Sequence, residues 1–368
     1  MSADDLADRL PDLDGRWREA MRAVPRRLFV PGRAWCLPGE GEGHLIDRAI
    51  EPDLWEHAVC SVDTAIVTQI DDGAIGIGEG GGEYTSSGSA PGVVAAELAL
   101  LDPYDGDEVL EIGTGTGWTA ALLAHRLGDA NVTSVEIDPS VLAVAEANIR
   151  KAGRSPRLVL GDGTKGHPEG APYDRVHVTC GVREVPYGWV EQTRPGGVIV
   201  LPWISGWEGA HLARLTATGD GGAMGEFHRA CAFMPLRSQR WSAPVVEGGF
   251  RRSSTLLDPR RVVRSSYGAE VAIAGMLPGV CGTHADEEGG GFRVWLWSDD
   301  SEAHAHYTPD YKRISVWQRG PRDLWDEVEA AFLRWVSWGS PGRDRFGMTV
   351  TPEGQYIWRD TPGDPVSP

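Results

Sequence analysis

Between about residues 107 and 203 the chain repeats one pattern: a short apolar run, a glycine turn, then an amphipathic run. Val109–Ile112 reads as a strand, and Trp118–Leu127 as a helix stopped by Gly128. Val132–Ile137 is the next strand. Pro139 then opens a helix to Ala152, with Val141, Leu142, Ala145 and Ile149 at helical spacing and Gly153 beyond it. Arg157–Leu160, Arg175–Thr179 and Val198–Leu201 supply three further strands. Strands alternating with helices predict an α/β fold: a Rossmann-like parallel sheet with helices on both faces.

The rhythm changes after residue 203. His211–Thr218 and Gly225–Phe233, around the turn Gly219-Asp220-Gly221-Gly222, predict a β-hairpin. After Pro235 the α/β alternation ends. The expected division is therefore a catalytic domain over 1–240 and a C-terminal α+β domain over 241–368. In the second, Phe292–Ser298 and Arg313–Gln318 alternate as half-buried strands, and Pro321–Trp338 reads as a helix. Its stripe is Leu324, Val328, Ala331, Phe332, Trp335 and Val336. Arg345–Thr351 and Gln355–Trp358 flank Pro352-Glu353-Gly354 as another hairpin. Eight of the 15 tryptophans fall in this region, enough for a core or for a peptide-recognition surface.

Composition narrows the classes. The 368 residues are 41% hydrophobic, and no run of about 18 apolar residues exists to cross a membrane. Met1 to Pro11 is acidic and lacks the apolar segment of a secretory signal, so a cytoplasmic protein is expected. The net charge of -18 disfavours nucleic acid. The five cysteines form no CxxC pair, so neither a zinc site nor a disulfide framework is expected. His304 and His306, on an expected loop, are taken as solvated rather than metal-binding. His177 is expected to be a satisfied core or edge histidine. Cys180 has no basic partner in sequence and is expected to pack.

The chemistry gathers around Gly113-Thr114-Gly115-Thr116-Gly117, between a strand and a helix. Glycines let a ligand approach the backbone, and the helix start offers free N–H groups. A dinucleotide loop would carry a third glycine where Trp118 stands, and no Lys-Ser/Thr follows as in a phosphate loop. The G-x-G-x-G spacing, with Glu111 two places before it, is the form used by S-adenosylmethionine-dependent methyltransferases. Glu136 ends the second strand, where a carboxylate accepts from ribose hydroxyls. Asp162 ends the third, where it can accept from an adenine amino group. Ile137, Gly163 and Thr179, at the same strand ends, complete the candidate cofactor set. Asp138 before Pro139 reads as a helix cap.

Upstream, Ser87-Gly88-Ser89-Ala90-Pro91 resembles the acceptor motif of the protein-L-isoaspartate O-methyltransferase family. Val24-Pro25-Arg26-Arg27-Leu28-Phe29-Val30-Pro31, Ala171–Val176, Arg194-Pro195-Gly196-Gly197 and Phe233-Met234-Pro235-Leu236 resemble other segments of it in the same order. The resemblance covers roughly residues 15–238. It implies a carboxyl methyltransferase that uses S-adenosyl-L-methionine, releases S-adenosyl-L-homocysteine and acts on a polypeptide. Ser89 would contact the acceptor carboxylate, assisted by Ser87, Ser86 and Thr85.

Three features depart from the family pattern: the long glycine-rich loop Asp71–Glu83, Gly92-Val93-Val94 after Pro91, and the C-terminal domain. They resemble the actinobacterial branch that tailors ribosomal peptide natural products. That implies methylation of an aspartate in a modified, macrocyclic precursor peptide, leading through a succinimide to aspartate or isoaspartate. The alternatives are a general isoaspartate repair enzyme and a non-catalytic, cofactor-bound peptide-recognition protein.

Overall fold

A computed structural model of the chain describes residues 3–10, 13–79, 81–207, 209–241, 244–309 and 314–367. Met1, Pro11, Gly80 and Arg313, each part of a sequence expectation above, lie outside the described residues. The chain divides into two compact units. The first holds 1–180, 186–201 and 216–219; the second holds 181–185, 202–215 and 220–368.

The first unit begins with an antiparallel sheet of Arg33–Leu37 (β1), His44–Asp47 (β2), Ala65–Ile70 (β3) and Tyr84–Gly88 (β4), in the order β2–β1–β3–β4. It packs on the helix Pro52–Cys60 through Trp55, Ala58, Val59 and Ile66. Then come Val109–Ile112 (β5), Val132–Glu136 (β6), Arg157–Leu160 (β7), Tyr173–Val178 (β8) and Thr193–Ile204 (β9), the last three residues of β9 being counted with the second unit. These run parallel in the order β9–β8–β5–β6–β7. Every side chain of β5 and β6 is buried. β5 accordingly reads as an apolar run broken only by Glu111, whereas β6 carries Thr133, Ser134 and Glu136 as buried polar residues. The helices Trp118–Leu127 and Pro139–Lys151 sit where the periodicity puts them. Asp138 caps the second by accepting from the Ser140 and Val141 amides. The core joins Trp17, Leu98, Trp118, Leu122, Leu123, Val198 and Val200.

The expected hairpin is Ala210–Ala217 (β10) and Ala223–Cys231 (β11), in the second unit except for the last two residues of β10. The second unit also contains Arg251–Thr255 (β12), Cys281–Glu287 (β13), Gly291–Trp297 (β14), Glu302–Tyr307 (β15) and Ile314–Arg319 (β16), in the order β12–β16–β15–β14–β13. Phe346–Thr351 (β17) and Gly354–Arg359 (β18) form the last hairpin. β17 pairs with β11 rather than with the β12–β16 sheet, Met348 opposite Gly225. Residues 220–240 therefore belong with the C-terminal residues, and the chain does not divide at 240/241. The helix Leu324–Ser337 buries Leu324, Trp325, Val328, Ala331, Phe332 and Trp335, while Val336 of the expected stripe is 43% exposed.

Two histidine expectations change here. His304 and His306 lie on β15, not on a loop. His304 stacks on Trp317 with ring centroids 4.9 Å apart, and the His306 Nε2 lies 2.7 Å from Glu287 Oε2. The alternation Ala303, Ala305 inward and His304, His306 outward is the strand period, hidden because alanine and histidine are weak strand formers. Among the tryptophans of this region, Trp325, Trp335 and Trp358 are buried and the other five are half-buried.

Candidate functional site

β5 delivers the glycine loop to the carboxyl end of the parallel strands, the end at which such sheets bind ligands. Gly113 has φ +92°, and a Cβ there would stand 2.6 Å from Thr179 Oγ1. Thr179, just past β8, donates that hydroxyl to the carbonyls of Ile112 (3.1 Å) and Gly113 (2.5 Å). The second glycine, Gly115 at φ +55°, donates its amide to Glu136 Oε2 at 2.9 Å. Glu136 Oε1 accepts from the Ile137 and Asp138 amides at 3.0 and 3.1 Å. Burial pushes the Glu136 carboxyl up, partly offset by these three amides. Ile137 beside it is 40% exposed, an apolar surface next to an acceptor. Gly117 closes the loop before the helix.

Asp162 follows β7 and accepts from the Thr164 amide through Oδ1 at 3.0 Å. Gly163 is held from behind, its carbonyl accepting from Trp189 Nε1 at 2.8 Å. Glu136, Ile137, Asp162, Gly163 and Thr179 thus stand at the carboxyl ends of β6, β7 and β8, the strand-end positions read from the sequence.

Glu111 is different. It is expected among the cofactor contacts, but it is fully buried. Its Oε2 accepts from Ser134 Oγ at 2.5 Å, and Oε1 faces His177 Nδ1 at 3.7 Å. A carboxylate on β5 two residues before the turn points into the sheet, so Glu111 braces the strand beneath the loop. Thr114 is also buried, its Oγ1 2.7 Å from Ser134 Oγ. Thr116 is buried, and its carbonyl accepts from Asn148 Nδ2 at 3.2 Å. For both threonines the backbone, not the side chain, is what the loop offers.

His177 is a core residue, but not a hydrogen-bonded one. Its ring lies between Glu111 and Glu97, whose Oε2 is 3.8 Å from Nε2, and neither ring nitrogen has a closer partner among the described residues. Burial alone would push its pKa down, yet the two carboxylates outweigh it and hold it at about 9. For Cys180, burial with Glu136 and Glu97 nearby pushes the thiol up to about 12, so it stays protonated and poorly nucleophilic. None of the five cysteines forms a disulfide among the described residues.

The candidate acceptor segment lies on β4 and the turn after it. The Ser87 carbonyl is 3.5 Å from where a Cβ on Gly115 would stand, and Thr116 Oγ1 is 3.8 Å from a Cβ on Gly88. The segment and the glycine loop are therefore in van der Waals reach. A second link joins them: Thr85 Oγ1 donates to Gln69 Oε1 (2.9 Å), and Gln69 Nε2 donates to Asp138 Oδ2 (3.1 Å). Burial pushes Asp138 up, but donors from Ser140, Gln69 and Val141 outweigh it and hold the carboxyl well below the usual range. Ser86 is buried and accepts from Thr68 Oγ1 at 3.2 Å, so its hydroxyl is turned from solvent. Ser87 and Ser89 are half-buried.

Sequence reasoning misses Arg26. It is 3% exposed, and its guanidinium donates to the carbonyls of Gly88 (3.2 Å) and Ser89 (2.9 Å). It also donates to those of Val59 (3.1 Å) and Thr64 (2.9 Å). Burial lowers its pKa to about 10, which leaves it charged at neutral pH. A buried cation thus pins the backbone of the turn at Gly88 and Ser89. The one sequence signal is its place inside the Val24–Pro31 segment. Gly92, a departure from the family pattern, has a packing cause. Its amide donates to the Val62 carbonyl at 2.8 Å, and a Cβ would meet Val62 at 3.1–3.3 Å.

The sequence model of the family described as protein-L-isoaspartate(D-aspartate) O-methyltransferase matches residues 64–241. A protein-L-isoaspartate O-methyltransferase of Methanopyrus kandleri is 36% identical over 238 residues, covering 63% of this chain and 89% of that one. The chain belongs to the protein-L-isoaspartate O-methyltransferase family. It is an S-adenosylmethionine-dependent carboxyl O-methyltransferase. A second relative, from Thermococcus onnurineus, is 42% identical over 150 residues, which are 40% of this chain and 68% of that one. A solved structure titled protein-L-isoaspartate O-methyltransferase superposes with a TM-score of 0.56 at 21% identity, covering 98% of this chain and all of that one. That alignment includes the C-terminal region, which the sequence alone marks as a departure from the family pattern. No helix among the described residues is long and apolar enough to cross a membrane.

Proposed function

We propose that this member of the family methylates the free carboxylate of an isoaspartyl residue, or the side-chain carboxylate of an aspartyl residue, in a polypeptide, with the glycine loop as donor side and Ser87–Ser89 as acceptor side. The observation that carries this reading is the contact between those two segments: the Ser87 carbonyl lies against Gly115, and Arg26 pins Gly88 and Ser89.

S-adenosylmethionine supplies an electrophilic methyl group on a sulfonium centre. The residues present fit it. Glu136 is a buried carboxylate whose oxygens accept only backbone amides among the described residues, and it can turn to ribose hydroxyls. Ile137 offers an apolar face and Asp162 keeps Oδ2 for an exocyclic amine. The backbone at Gly113 and Gly115 is bare of Cβ atoms. An acceptor carboxylate is already a nucleophile, so no strong base is required. Ser89 would hold one of its oxygens and direct the other to the methyl group. Alignment and partial exclusion of water are what this chain contributes. In the product ester, the following peptide nitrogen attacks the carbonyl carbon and methanol leaves, giving a succinimide that water opens to aspartate or isoaspartate.

General isoaspartate repair is the reading nearest to the relatives. Tailoring of a modified, macrocyclic precursor peptide is the second reading, favoured by the long loop after β3. The Asp71 amide donates to the Glu83 carbonyl, and the Asp72 amide to Thr85 Oγ1, at 2.8 and 3.0 Å, so this loop borders the acceptor strand. The experiment is a panel of linear isoaspartyl, linear aspartyl and macrocyclic aspartyl peptides incubated with S-adenosylmethionine and read by mass spectrometry. Ester or succinimide on several unrelated isoaspartyl sequences supports repair. Modification confined to a macrocyclic aspartyl peptide supports tailoring. No methylation of any peptide, by protein that binds S-adenosylhomocysteine, overturns both. In the same assay Ser89→Ala should lower kcat/KM.

A further inference from the structure

The second unit encloses a cavity of about 350 Å³ that the methyl-transfer reading does not use. Its walls include Trp207, Cys231 at the end of β11, Tyr267, Glu270 and Ile273 on the helix Tyr267–Met276, and His284 of β13. Two aromatic rings and an imidazole thus surround one carboxylate.

Glu270 is held firmly. Its Oε1 accepts from Ser205 Oγ and lies 3.3 Å from Nε2 of the fully buried His211. Burial pushes the Glu270 carboxyl up, but His211 and Ser205 outweigh it and hold it below its usual range. Among the described residues no lysine or arginine comes within 4 Å of its oxygens. Arg343 is near enough to feel the charge, but its Nη2 donates to the His228 carbonyl and its guanidinium sits 5.1 Å from the Tyr267 ring centre. On the same wall the indole N–H of Trp207 is buried and has no acceptor among the described residues. An unspent donor costs free energy unless a ligand oxygen meets it.

A fixed carboxylate among aromatic faces selects a cation. A lone indole N–H selects a carbonyl. A volume near 350 Å³ is that of a side-chain subsite, at the small end of ligand pockets. The chain's net charge of -18 draws cations to it.

We propose that this cavity binds a basic residue of a polypeptide, its guanidinium or ammonium group on Glu270 and a backbone carbonyl on Trp207. The inference rests on the reading of a polypeptide substrate given above. It adds that substrates carrying a suitably spaced arginine or lysine are held at a second point.

The test is calorimetric titration of the full chain with N-acetyl-arginine methylamide, its lysine counterpart, and the citrulline compound as the neutral isostere of arginine. The arginine or the lysine compound should bind at least about tenfold more tightly than citrulline. Glu270→Gln should erase that difference, and Trp207→Phe, which keeps the wall and removes the N–H, should weaken the cationic ligand several-fold. S-adenosylhomocysteine binding and the melting temperature report whether each variant is folded. If Glu270→Gln does not fold, the comparison of ligands on the wild type and on Trp207→Phe still decides for or against the site. Equal binding of charged and neutral compounds, or binding of none, overturns the proposal. If isoaspartyl peptides are methylated but charge is not discriminated, the cavity proposal fails alone. If charge is discriminated but no peptide is methylated, the substrate reading fails and the site stands.

Discussion

Replacing Arg26 with methionine keeps most of the side-chain volume and removes every donor. Four carbonyls, those of Val59, Thr64, Gly88 and Ser89, then lose a charged partner. Three N–H groups serve them, one on Nη1 and two on Nη2 shared among three carbonyls, and at about 2 kcal/mol for each the loss totals about 6 kcal/mol. Part of this is offset. The native guanidinium has no carboxylate within 4 Å among the described residues, and burial lowers its pKa from 12.5 to about 10. That shift corresponds to about 3 kcal/mol of desolvation that methionine does not bear. The expected net destabilisation is roughly 3 kcal/mol, a large share of a typical domain's stability. Two of the four carbonyls belong to the acceptor turn, so the variant should also misplace the peptide carboxylate. Urea unfolding at neutral pH measures the first effect, and initial rates on an isoaspartyl peptide the second. We expect kcat/KM to fall at least about tenfold while affinity for S-adenosylhomocysteine stays within about threefold. Stability within about 1 kcal/mol of wild type together with unchanged kcat/KM would refute the role given to Arg26.

Gly113→Ala puts a Cβ at φ +92° and 2.6 Å from Thr179 Oγ1, so it should weaken S-adenosylhomocysteine binding by about tenfold or more in calorimetry; wild-type affinity would show that the loop does not hold the cofactor. Glu136 has a raised pKa, so its native form takes up a proton sooner on acidification than an ordinary glutamate does. Cofactor affinity should therefore fall with pH from the upper edge of the carboxylate range, and Glu136→Gln should bind weakly with that dependence gone. His177, held at about 9, stabilises the fold fully below its unfolded value of 6.5 and loses that contribution as pH rises through 9. Its imidazole resonances should stay in the protonated form at neutral pH, and an NMR midpoint below 6.5 would contradict the two-carboxylate environment.

The features legible in the sequence are those with a local cause. The parallel strands announce themselves because both their faces are buried, and the Asp138 cap because Pro139 follows it. The glycine loop is legible through its spacing, and Glu136 and Asp162 through their places at strand ends. The rest depends on contacts between residues far apart in the chain. Glu111 has the spacing of a loop carboxylate, yet its side chain meets Ser134 and His177 from neighbouring strands. Arg26 has no role assigned by the sequence beyond its place in the Val24–Pro31 segment, and only the fold supplies the four carbonyls around it. β17 pairs with β11 more than a hundred residues earlier, which no local period reports. Gly92 looks like a mark of specificity and is explained by the approach of Val62.

We propose the glycine loop and the Ser87–Ser89 turn as the two halves of one carboxyl methyl-transfer site. The most direct test is transfer of labelled methyl from S-adenosylmethionine to an isoaspartyl peptide, followed by mild base. Label should appear on the peptide and leave it as methanol in base. Absence of transfer by folded, cofactor-binding protein, or label that survives base, would contradict the proposal.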